Sequence, residues 1–198
     1  MTDRKTMYDA LTCAAWGYFL LFFDFKLGNV SVLPAFAGYL LLREAARDLS
    51  AERRDLSLLR PLLTLLAVWA FGDWLLSWAG QDMDGHVLFA DLLMAAIQLY
   101  FHFQFLTDMA ALAERHQAEG GDLHRRLLRK RTLYTLLITF VAIVQQAYGG
   151  FADPDAAGWL VMVPAIFACV LSLGAMVNLF ELRDCFRAEG EEEQHLSV

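Results

Sequence analysis

The catalytic signatures of common enzyme classes are missing from these 198 residues. There is no HExxH, no GxSxG, no glycine-rich phosphate loop and no Cys–His arrangement suited to a nucleophile. Cysteine is scarce, and the three present (Cys13, Cys169, Cys185) make neither an even set nor a CxxC pair. Each lies in or beside an apolar run, where a thiol packs as a small hydrophobe, so a disulfide framework and a redox or zinc motif drop out. Charge is thin as well: 20% of the residues are Asp, Glu, Lys or Arg, against about 25% in soluble domains. The expectation is a non-enzymatic protein without metal or cofactor.

What fills the chain is apolar. Hydrophobic residues make up 58% and the mean hydropathy is +0.40. The excess gathers in stretches of about 17–23 residues, roughly the length of helix that a bilayer's hydrocarbon core demands. This predicts an all-α, polytopic integral membrane protein with six spans: Tyr8–Phe25, Val30–Ala46, Pro61–Ala79, His86–Leu106, Thr132–Tyr148 and Gly158–Phe180. The run from Tyr8 has no small-residue cleavage site after it and reads as a retained span, not a signal peptide. Residues 1–183 form one bundle in this reading, and 184–198 a flexible acidic tail, with Glu189 to Glu193 interrupted only by Gly190.

The basic residues orient the spans. Fifteen of the sixteen fall before span one, after spans two, four and six, and only Lys26 lies on the other side. The positive-inside rule then puts both termini in the cytoplasm of a bacterial inner membrane protein. Trp74, Trp78, Tyr148 and Trp159 collect at the opposite edge, as an aromatic belt does. Leu42, Ala45, Ala46 and Leu49 continue at helical spacing, so helix two runs beyond the bilayer. Helix four is expected to run on through Ala110 to His116 and to stop at Gly120-Gly121, leaving Asp122 to cap helix five. The block Arg125 to Arg131 reads as a topology determinant touching lipid headgroups, not a nucleic-acid site.

The six spans group as three hairpins with similar chemistry in each, a threefold pseudo-repeat of the kind transporters use to build a site between repeats. Ionisable side chains inside the hydrocarbon cost about 2.5–3.5 kcal/mol on insertion scales, so each needs a reason. Asp73 and Asp91 fall at about 8–9 Å below the outer boundary on helices joined by a short loop. Asp24 and the pair Gln145 and Gln146 belong to the same layer. Deeper, Gln98 and His102 share one face of helix four, and Glu181 of helix six lies near the inner exit. These eight residues are the candidate ion or substrate path. The competing reading has each polar group bonding a neighbouring helix.

The most distinctive segment is Asp24-Phe25-Lys26-Leu27-Gly28 followed by Leu33-Pro34-Ala35-Phe36-Ala37-Gly38-Tyr39. It resembles the first hairpin of a family of uncharacterised small multi-pass bacterial membrane proteins, which carry a Leu-Pro-Asp-Phe-x-Gly-Tyr run at the start of helix two. The match covers about the first quarter of the chain and departs at Ala35, where the family pattern has Asp. The resemblance implies a multi-pass fold and brings no activity with it. Pro34 suits a first helical turn, and Gly38 allows close approach to a neighbouring helix. The functional expectation is a small transporter or channel for a proton, cation or cationic solute. The alternative is a non-catalytic scaffold, sensor or immunity-type protein, with an enzyme acting on lipid the weakest option. Membrane lipid, a second copy of the chain and a cytoplasmic protein are the partners in view.

Overall fold

The computed structural model describes residues 4–22, 26–27, 30–31, 35–78, 88–117, 120–148 and 154–196. Six helices account for nearly all of these: α1 (Arg4–Phe22), α2 (Ala35–Leu49), α3 (Leu56–Trp78), α4 (Leu88–His116), α5 (Leu123–Tyr148) and α6 (Pro154–Leu196). Between α1 and α2, β1 (Lys26–Leu27) and β2 (Val30–Ser31) form a two-residue antiparallel pairing, Lys26 opposite Ser31. The expected span two begins at Val30, whereas Val30 and Ser31 are strand and α2 starts at Ala35.

Each helix packs on the next in the chain, and α6 returns against α1, so the six make a closed ring. The α3–α4 pairing is the lightest of the consecutive ones, so close packing does not divide the ring into three equal hairpins. Buried positions follow the helical period. On α1 they are Met7, Ala10, Leu11, Ala14, Ala15 and Tyr18, and on α4 Phe101, Phe105, Leu106, Met109 and Leu112. The α1–α2 crossing depends on two glycines. A Cβ on Gly38 would lie 2.8 Å from the Gly17 carbonyl oxygen, and one on Gly17 would lie 2.7 Å from Leu42 Cγ. The close approach expected at Gly38 is therefore real, and its partner is Gly17.

Helix ends follow local chemistry. Leu42, Ala45, Ala46 and Leu49 are all buried on α2, which runs on as expected. α4 ends at His116, and Gly120 takes the left-handed conformation at φ 86° that a side chain would resist. Asp122 stands just before α5, but its carboxylate reaches Arg126 at 3.0 Å. The first-turn backbone N–H of His124 donates instead to Gln117 Oε1 at 3.4 Å.

Two expectations change. Two helical stretches are long and apolar enough to cross a membrane, Leu56–Trp78 and Met162–Phe186. α2 has only 15 residues, and α1 and α5 open on charged turns, so composition alone does not qualify them. α3 starts at Leu56 and α5 at Leu123, well ahead of the expected spans at Pro61 and Thr132, because polar first turns can extend a helix past its apolar part. Finally, α6 runs to Leu196, so the acidic stretch from 184 to 196 is helical. Glu and Gln are good helix formers, so an acidic stretch that follows a formed helix propagates it without a new nucleus.

Candidate functional site

Four helices bring side chains to one point inside the ring. α1 contributes Tyr18, α4 contributes Phe101, His102 and Phe105, α5 contributes Tyr134 and α6 contributes Ser172. All are buried; His102 is 1% exposed and Ser172 not at all. Ala14 and Ala15 leave the α1 face free of bulk just before Tyr18, so its ring reaches across the interior to α4.

The contacts are specific. The Tyr18 hydroxyl lies 3.2 Å from His102 Nδ1. If the hydroxyl donates, Nδ1 accepts and the proton sits on Nε2; the other tautomer reverses both roles. The His102 ring lies parallel to Tyr134, 3° between planes and 5.1 Å between centroids. Tyr18 stands 5.6 Å from the His102 ring and 6.4 Å from Tyr134. Ser172 Oγ donates to the backbone carbonyl of Tyr18 at 3.1 Å, which fastens α6 to α1. Phe101 and Phe105 pack over Tyr18 at centroid distances of 6.5 and 5.6 Å. Further along α6, Asn178 is also buried, and its amide nitrogen has no hydrogen-bond partner among the described residues.

A second polar layer lies at the end of the ring where the basic residues collect. Arg53, in the α2–α3 turn, donates to Asp108 Oδ1 at 3.0 Å, and Gln104 donates to Asp108 Oδ2 at 3.1 Å. Asp108 is completely buried, so both oxygens are answered where water cannot answer them. Across the ring Arg126 of α5 meets Glu181 of α6 at 2.6 Å. That bond, together with the nearby carboxylates, raises the Arg126 pKa above the ordinary arginine value. Lys130, one helical turn on, has its pKa lowered by burial. Its ammonium fills the space that a Cβ on Gly174 would take.

The sequence-derived path is distributed over these layers. His102 is at the centre, and Gln98, half-buried, precedes it by one turn of α4. Glu181 is exposed at the basic end and engaged with Arg126. Asp73 is exposed on α3, flanked by the exposed Phe71 and Leu75. Asp24 and the side chains of Asp91, Gln145 and Gln146 lie outside the described residues. Among the described residues no group of three or more His, Cys, Asp and Glu is placed to hold a metal ion.

Tyr18, Tyr134 and Ser172 were not singled out from the sequence. The available signal was their period: Leu11, Ala14, Ala15 and Tyr18 share one α1 face, as Ser172, Ala175 and Leu179 share one of α6. No protein-family model, curated protein or solved structure matches the chain.

Proposed function

We propose that the chain is a six-span membrane protein of the bacterial inner membrane, N-in and C-in, and that the Tyr18–His102–Tyr134–Ser172 centre handles a proton or small cation. One observation carries this reading, the apolar outer face of the ring. The ring turns large apolar side chains outward at helical spacing: Leu65, Val68 and Leu75 on α3; Leu136, Phe140 and Ile143 on α5; Ile166, Val170 and Val177 on α6. Its interior holds His102, Asp108, Ser172 and Asn178. In water that arrangement exposes far more contiguous apolar surface than a monomer carries, whereas in a bilayer it is the ordinary one.

Two further features agree. Phe36, Phe71, Trp74 and Trp78 cluster at the end opposite the basic residues, with Phe36 and Phe71 centroids 5.1 Å apart and Trp74 and Trp78 5.5 Å apart. That is where an interfacial aromatic belt belongs. The arginines collect at the other end, as the positive-inside rule requires. The shorter α2 then crosses with Arg43 reaching to the headgroups.

An ionisable residue on the axis of a membrane bundle is a functional candidate by its cost alone. His102 has a hydroxyl on one side and a stacked phenol on the other, groups that pass or hold a proton without a permanent charge. In liposomes carrying a pH-sensitive dye, the wild-type chain is expected to dissipate an imposed proton gradient faster than empty vesicles. His102→Gln keeps a hydrogen bond to Tyr18 but does not titrate, so it should abolish the flux while the protein elutes and melts as before.

The alternative, a non-catalytic scaffold, sensor or immunity-type protein, is favoured by one feature. The central polar groups are joined helix to helix and covered by Phe101 and Phe105, as polar glue in a bundle is. On that reading the wild type adds no flux, and His102→Gln shifts only the melting temperature.

A further inference from the structure

Several arginines at the basic end have a carboxylate. Arg47 has Glu44 and Asp48, Arg53 has Asp108, Arg115 has Glu52, Arg126 has Glu181 and Asp122, and Arg183 has Asp184. Arg131 differs. Its Nη1 donates to Thr107 Oγ1 at 3.2 Å, and its guanidinium carbon stands 4.5 Å from the centre of the Phe103 ring. Its Nε is buried without a hydrogen-bond partner, and no carboxylate meets it among the described residues. A guanidinium so held is oriented by one hydroxyl and one ring, with part of its fork of donors unanswered.

Its position is equally telling. Thr107 and Arg131 stand one residue outside the expected ends of spans four and five. On the bilayer side of that point α4 turns Tyr100 and Phe103 outward and α5 turns out Leu136 and Phe140, all between 41% and 62% exposed. Beyond it, Arg125 and Arg129, four apart on one face of α5, are exposed and carry no carboxylate partner among the described residues. A cation at headgroup depth, held in place by a hydroxyl that donates to the Phe103 carbonyl at 2.6 Å, and an apolar strip running inward match the phosphate and the acyl chain of an anionic phospholipid.

We propose that the α4–α5 seam binds an anionic phospholipid of the cytoplasmic leaflet, with its phosphate on Arg131, which Thr107 orients, and an acyl chain along Tyr100, Phe103 and Leu136. The site rests on the membrane reading above. It does not require His102 to carry protons. Arg131 is the charged ligand here because its planar fork suits a phosphate in two-point contact, which a lysine cannot copy. The Phe103 ring fixes the plane of that fork before the lipid arrives.

The test is native mass spectrometry of the detergent-purified chain titrated with phosphatidylglycerol, phosphatidylcholine or inorganic phosphate. The same preparations are floated with phosphatidylglycerol vesicles. The wild type should bind one phosphatidylglycerol more tightly than any phosphatidylcholine, and equimolar inorganic phosphate should not displace it. Arg131→Gln should weaken that binding by roughly 10-fold, the worth of a charge-assisted hydrogen bond. Arg131→Lys should fall between the two, and Arg129→Gln should change it by less than about twofold, as an exposed, screened charge does. Equal binding by Arg131→Gln and wild type, equal affinity for phosphatidylcholine, or displacement by inorganic phosphate overturns the site alone, provided the protein floats. Failure to float removes the membrane reading and the site with it.

Discussion

A glycine faces the neighbouring helix both where α1 crosses α2 and where α5 crosses α6, yet the two contacts are built differently. At the first, Gly38 has the Gly17 carbonyl oxygen where its own Cβ would sit, and a backbone cannot step aside. At the second, Gly174 faces the end of the Lys130 side chain, a flexible stem that can swing away. The charge pairs divide in the same way. Arg53 meets an Asp108 that is wholly buried, whereas the side chains of Arg126 and Glu181 are 37% and 44% exposed. The α1–α2 side, with the α2–α3 turn, is therefore a fixed frame. The α5–α6 side is held by groups that can rearrange at small cost.

That contrast can be broken most sharply at Asp108. Arg53→Met strands a buried carboxylate with only Gln104 for company and should cost about 3–4 kcal/mol, read as a large drop in the melting temperature in detergent. Its counterpart Arg126→Gln should cost less than about 1 kcal/mol, since exposed ion pairs contribute little. Equal losses from the two would erase the distinction between frame and soft side.

The glycines give the next effect. Gly38→Val drives α2 off α1 and should cost about 2–3 kcal/mol, as overpacking does. Gly174→Ala asks only that Lys130 turn aside, and a shift of less than about 0.5 kcal/mol is expected. The pair is best compared by thermal melting of the two proteins in one detergent.

Lys130 gives the smallest effect and a definite sign. Burial lowers its pKa below the ordinary value of 10.5, so the folded chain holds that proton less tightly than the unfolded chain does. The resulting penalty is present below the folded pKa. It is relieved as pH rises from there toward 10.5, so stability gains with pH in that window. Lys130→Met should remove this alkaline gain, and melting curves of the two proteins across the window report it as a difference in slope.

Much of the frame was legible in the sequence, because it is written in local periods. The α2 continuation shows in Leu42, Ala45, Ala46 and Leu49, the α4 stop in Gly120-Gly121, and the close contact in Gly38. The centre was legible only at His102, where an ionisable residue interrupts an apolar run. Tyr18 and Tyr134 carry one polar atom at the tip of a large apolar ring, and Ser172 is small, so hydropathy averages pass over all three. The Arg53–Asp108 pair joins residues 55 apart in the chain, a contact that no local pattern announces. Asp73 shows the converse limit: its depth along α3 followed from counting residues, but the side of the helix it occupies depends on packing.

The central claim is that the ring lies in a bilayer with its basic end in the cytoplasm. An accessibility tag at 80–85, between α3 and α4, tests it most directly when read beside tags at both termini in intact cells. The account predicts that the 80–85 tag reports outside and both termini inside. Termini on opposite faces, or a tagged chain recovered from the soluble fraction, would contradict it.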